Sequence, residues 1–146
     1  MRSPADAVLT ARMVGWALVL PVLKAVLPLR RLVRLMALSA PATPRNPDAE
    51  HAIANLARIA HRVVGLGRRD NCLERSLIAY RYLGAANASP LLVVGARNDQ
   101  HTIEGHVWLT VDGVPVHDEA AALSRFTPVT AFDASGAPVP SAPTGP

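Results

Sequence analysis

The stretch Thr102-Ile103-Glu104-Gly105-His106-Val107-Trp108-Leu109-Thr110-Val111-Asp112-Gly113-Val114-Pro115-Val116-His117-Asp118 decides the fold class. Thr102 to Thr110 and Val114 to Asp118 read as antiparallel strands around Asp112-Gly113, a strong hairpin signal. Two turns fit these residues. A two-residue Asp112-Gly113 turn pairs position 106 with 119 and sends Asp118 to the opposite face. A three-residue Val111-Asp112-Gly113 loop pairs 110 with 114, and so 106 with 118. Directly opposed side chains have Cβ atoms roughly 4.5–5.5 Å apart, close enough for an imidazole–carboxylate hydrogen bond. The sequence does not choose between the two.

Upstream of this hairpin, Leu91 to Val94 between Pro90 and Gly95 reads as a fully buried strand. Everything earlier is helical in pattern. Residues 5–38 read as two helices broken near Pro21 or Pro28, because proline disrupts a helix interior. Ala40 to Pro47, with three prolines, is a linker. Asn46 is a good N-cap for the next helix, Pro47 suits its first position, and Asp48 and Glu50 complement the dipole. Ile53, Leu56, Ala57, Ala60, Val63 and Val64 form its apolar stripe, with Gly65 or Gly67 closing it. A further helix is expected from about Cys72 to Leu83, capped by Asp70 or Asn71, burying Leu73, Leu77, Tyr80 and Leu83, and stopped at Gly84. Helices first and a small antiparallel sheet second make the class α+β. The expected organisation is basic apolar helices over residues 1–40, a core over 41–133, and a disordered proline-, glycine-, serine- and alanine-rich tail over 134–146.

The chain has 146 residues, half of them hydrophobic, which suits one domain with a real core. Its net charge of +4 is unevenly placed. Residues 1–40 carry six cations (Arg2, Arg12, Lys24, Arg30, Arg31, Arg34) against Asp6, a local +5, leaving the remainder near neutral at −1. Such a segment suits an acidic peptide or an anionic membrane surface. Aromatic content of 4% without basic–aromatic interleaving argues against nucleic acid. Met13 to Leu23 is an uncharged apolar run, yet Lys24 ends it well short of the ~20 residues a membrane span needs. Arg30, Arg31 and Arg34 follow it where a signal peptide would place a small neutral cleavage region. Leu29 to Leu35 does mix the ingredients of an interfacial helix, consistent with peripheral membrane contact.

Cys72 is the only cysteine, so an internal disulfide and a multi-cysteine zinc site are excluded. A free thiol suits a reducing compartment, and the cytoplasm is the expected location. At a helix start, unpaired N–H groups and the dipole favour thiolate over thiol and can bind the oxyanion of a tetrahedral intermediate. His106 and Asp118 follow in the order of a cysteine-nucleophile triad: a thiol, an imidazole to move its proton, and a carboxylate to fix the imidazole tautomer. His101 lies in a polar stretch and His117 alternates with Asp118, so neither competes well as the base. Cys72, His106, His117 and Asp118 are all metal-ligand types, but no H-x-x-x-H or C-x-x-C spacing supports a metal, and no cofactor motif is present.

These residues carry a family resemblance. Cys72-Leu73-Glu74-Arg75-Ser76-Leu77, the strand before Gly95, Gly105-His106-Val107-Trp108-Leu109, and Asp112-Gly113 leading to Asp118 resemble the lasso-peptide leader peptidases, a branch of the transglutaminase-like cysteine hydrolases. Leu27-Pro28-Leu29-Arg30-Arg31-Leu32 is similar to that family's amino-terminal helical region. Glu74, where a neutral or apolar residue is expected, and Val107, often alanine, depart from the pattern. The resemblance implies a transglutaminase-like or papain-like fold with Cys72 as nucleophile, His106 as general base and acid, and Asp118 as its orienter. Arg75 and Ser76 are read as helix-packing or capping residues.

The implied substrate is a ribosomally made precursor peptide, cut between leader and core before a separate cyclase closes the macrolactam. Residues 1–40 lack the strands of a winged-helix leader-recognition module, so a separate recognition protein is implied as partner. The same triad would also serve an amidase or acyltransferase of another pathway. A noncatalytic peptide- or membrane-binding module is the reading from another class.

Overall fold

A computed structural model describes residues 4–64 and 72–140. Four helices come first: α1 (Pro4–Val26), α2 (Leu29–Met36), α3 (Pro47–Val64) and α4 (Cys72–Ala85). The strands β1 (Leu91–Asp99), β2 (Thr102–Val111), β3 (Val114–Pro115), β4 (Thr127–Phe132) and β5 (Pro138–Val139) follow, with the one-turn helix α5 (Ala120–Leu123) before β4. All strand pairs are antiparallel, in the order β3-β2-β1-β4-β5. The expected α+β class stands.

α4 is the organising helix. Leu77, Ile78, Ala79, Tyr80 and Leu83 are at most 1% exposed, so it is covered on nearly all sides. Met13, Ala17 and Leu20 of α1, Leu32, Val33 and Met36 of α2, and Ile53, Leu56, Ala57 and Ala60 of α3 share its cluster, as do Leu92, Val107, Leu109 and Phe132 of the sheet. Each fully buried Leu or Ile there contributes about 1.5–3 kcal/mol. Asn46 caps α3 as expected, its Oδ1 accepting the N–H of Asp48 at 3.0 Å and of Ala49 at 3.4 Å. The expected closure of α3 at Gly65 or Gly67 and the Asp70 or Asn71 cap of α4 lie outside the described residues.

Of the two expected break points Pro28 is the one used, with an extended ψ of 150°, while Pro21 stays inside α1. Other expectations are corrected. The uncharged run from Met13 to Leu23 lies inside a longer apolar helix. α1 has 23 residues and, by length and composition alone, is apolar enough to cross a membrane, although Arg12 lies well inside it. Gly84 does not stop α4. A Cβ there would lie 2.0 Å from Leu38 O, so glycine permits the close approach of two backbones. Asn87 instead adopts the left-handed conformation (φ 58°), with Ala88 N–H bonding Leu83 O and Asn87 N–H bonding Gly84 O.

Residues 134–140 are not a disordered tail. Asp133 Oδ1 accepts the N–H groups of Ser135 and Ala137, Gly136 turns at φ 80°, and β5 pairs with β4. Residues 141–146 lie outside the described range.

Candidate active site

Cys72 opens α4, half-buried and packed against the main core. The N–H groups of this first turn have no intrahelical partner. Ser76, one turn on, donates its hydroxyl to Val107 O at 3.2 Å, so α4 is fastened to β2 beside His106.

Along β2, Val107 and Leu109 point into the helical core, while Trp108 points to a second cluster with Val93, Leu123 and Ala131. His106 alternates onto the face of Trp108. Its ring is stacked by Phe126 at 5.0 Å and by Trp108 at 6.0 Å. Across the ladder from His106 stands Gly95. A Cβ at Gly95 would come within 2.7 Å of the Trp108 ring, so its missing side chain is what lets the indole lie where it does. Arg97 covers the outer face of Phe126 at 5.2 Å and is itself held by Glu104.

Asp118 reaches His106 by a route the sequence did not offer. Asp112 (φ 53°) and Gly113 (φ 79°) form the two-residue turn, pairing Val111 with Val114 and Thr110 with Pro115. The three-residue loop that would have opposed 106 and 118 is absent. β3 ends at Pro115, after which Val116 N–H still bonds Leu109 O. The chain then bends away, because His117 Nε2–H donates to Ala54 O on α3 at 2.9 Å. Freed from the ladder, Asp118 places Oδ1 3.3 Å from His106 Nε2. A carboxylate only accepts, so Nε2 carries the proton and Nδ1 is left with the lone pair a general base needs.

Arg75 on α4 completes the cluster. Its Nη2 donates to both Asp118 oxygens at 3.2 Å. The reading of Ser76 as a packing residue holds, but Arg75 does more than pack. Its spacing of three residues from Cys72 puts both on one helix face, but spacing alone does not set it apart from an ordinary helix residue.

The structure therefore brings His106, Asp118 and Arg75 together. Among the described residues Cys72 Sγ has no hydrogen-bond partner, and it is linked to the others through α4. His117 is spent on Ala54, and burial lowers its pKa below the ordinary 6.5. His101 is exposed in the β1–β2 turn at φ 81°. Burial, then the Arg75 cation, also lowers the pKa of His61 on α3. Glu74, the unexpected charge, is 4% exposed and accepts from Lys24 Nζ of α1 at 2.9 Å.

A family model described as the transglutaminase-like superfamily matches residues 14–131, most of the chain. No curated protein and no solved structure matches.

Proposed function

The chain belongs to the transglutaminase-like superfamily, a fold of the cysteine peptidase and amidase type, and we propose that it is a cysteine peptidase removing the leader from a ribosomally made lasso precursor peptide. The observation that carries the reading is the His106–Asp118 contact, formed beside the helix that Cys72 opens.

In this mechanism the Cys72 proton passes to His106 Nδ1, and the thiolate attacks the carbonyl at the leader–core junction. First-turn N–H groups of α4 bind the oxyanion. Collapse breaks the C–N bond, and the core amine leaves with the proton from His106. Water, deprotonated by the same imidazole, then hydrolyses the leader thioester and restores the thiol. Asp118 keeps the Nε2–H tautomer throughout. The chemistry calls for no metal or cofactor.

The partners proposed are the precursor, a separate leader-recognition protein and the cyclase that uses the freed amine, all in the cytoplasm. Leu18, Val22 and Val26 of α1 are exposed, and Arg30, Arg31 and Arg34 line α2 nearby, which supports these helices as the docking surface or as a peripheral membrane contact. A tethered leader raises the local concentration of the scissile bond, so cleavage should accelerate with the recognition protein present.

Mass spectrometry of purified protein incubated with precursor and recognition protein tests the reading. Leader and core fragments of hydrolytic mass support it. Acyl transfer to an added amine without hydrolysis would instead indicate an amidase or acyltransferase, and an unchanged precursor would refute peptidase function.

A further inference from the structure

We infer that Arg75 is a positioning residue that holds the orienting carboxylate against the imidazole, an inference that rests on the peptidase reading of the same site. Continued past Pro115, the hairpin register would set Asp118 opposite Val107, whose side chain points into the helical core. Strand pairing thus directs the carboxylate away from His106, and beyond Val116 no ladder holds it. What holds it is Arg75.

The guanidinium reaches both oxygens, while Oδ1 also faces His106. Arg75 Nη2 lies 3.2 Å from both oxygens, so its charge anchors the carboxylate and opposes its swinging away from His106. The pair is well sheltered, with side chains 23% and 17% exposed, so water competes poorly. Among the described residues, the hydrogen bonds of Arg75 both go to Asp118 and its Nε is buried without a partner. Its guanidinium is thus directed at this carboxylate. Arg75 also lies one helical turn from Cys72, so α4 sets nucleophile and orienter in one frame.

β3 makes the connection possible. It pairs only with Thr110 and Val111 of β2, so among the described residues no strand pairs with β2 on that side at His106, where Arg75 meets Asp118. A longer β3 would seal that edge and carry Asp118 to the wrong face.

The test compares Arg75→Met, Arg75→Gln and Arg75→Lys with the full-length wild type. Two readouts are used: steady-state leader removal, and ¹⁵N NMR of the neutral His106 imidazole. The wild type should show the Nε2–H tautomer. Arg75→Met should show a tautomer mixture, a kcat lowered about 10–100-fold and a KM within about twofold, the scale usual for partners that orient a site. Arg75→Lys should recover part of both signals. In an Asp118→Asn background Arg75→Met should add little, because its route of action is already gone. An unchanged tautomer and kcat in folded Arg75→Met, or losses additive with Asp118→Asn, would overturn the inference. Should Arg75→Met not fold, Arg75→Gln supplies the same comparison. If the wild type cleaves no precursor, the peptidase reading fails, and the tautomer comparison still decides the role of Arg75.

Discussion

His106 Nε2 and Asp118 Oδ1 lie 3.3 Å apart although the two residues are partners in no strand pair. The contact depends on a bend that His117 fastens to α3 and Arg75 fastens to α4. Asp118→Asn should therefore do two things. Leader removal should fall roughly 10³–10⁴-fold, because an amide can present its N–H to the ring and select the wrong tautomer. Stability should fall by about 1.5–3 kcal/mol as Arg75 loses its charged acceptor. Denaturant melts and cleavage rates check the pair; wild-type values in both would refute the assigned orienter.

Gly95 offers a second handle on the same imidazole. A methyl group there would meet the Trp108 ring at 2.7 Å and Thr127 O at 3.0 Å. Gly95→Ala should cost about 1–3 kcal/mol of overpacking strain. It should also lower activity, since Trp108 and Phe126 stack on His106. Near-UV circular dichroism should report the displaced indole, and an unchanged spectrum with full activity would contradict the packing argument.

The α+β order, the hairpin and the Asn46 cap were legible because each rests on residues close in sequence. The register was not, since Asp112-Gly113 suits both turns and the deciding contacts, His117 with Ala54 and Arg75 with Asp118, come from 63 and 43 residues away. β4 escaped notice because Pro128 interrupts it. That proline pairs with Gly95 where the β1–β4 register shifts. β5 was hidden by small residues whose turn is set by the Asp133 side chain. The pairing of His106 with Asp118 could be proposed from residue type and chain order. Arg75 could not be separated from an ordinary helix residue without its partner in view.

Lys24 and Glu74 give a test of how α1 is held to the start of α4. Lys24→Met strands a buried carboxylate and should cost about 1–3 kcal/mol, less than a fully buried pair because Lys24 is 41% exposed. The double variant Lys24→Met/Glu74→Leu should regain most of that stability, because an apolar pair needs no compensation. Thermal melts of the two decide it. A double variant no more stable than Lys24→Met would show that the stranded charge is not the cause.

Burial lowers the pKa of His117, with the Ala54 hydrogen bond opposing and the Arg75 cation reinforcing the shift. The folded state thus binds this proton less readily than the unfolded chain. Its contribution is present above the ordinary value of 6.5 and is lost as pH falls through the lowered folded value. Stability should decline below about pH 6.5 with a slope of up to ~1.4 kcal/mol per pH unit from this group. His117→Asn, which can still donate to Ala54, should flatten that slope; an identical pH profile would exclude His117 as its source.

Cys72 as the nucleophile is the central claim, and the most direct measurement is leader removal by purified Cys72→Ala. Alanine suits the helix start and removes the only thiol, so the variant should fold normally. With the recognition protein present, its cleavage rate should fall by several orders of magnitude below wild type, since the members of such a triad act as a unit. Cleavage at a near-normal rate by Cys72→Ala, with contaminating peptidases excluded, would contradict the account.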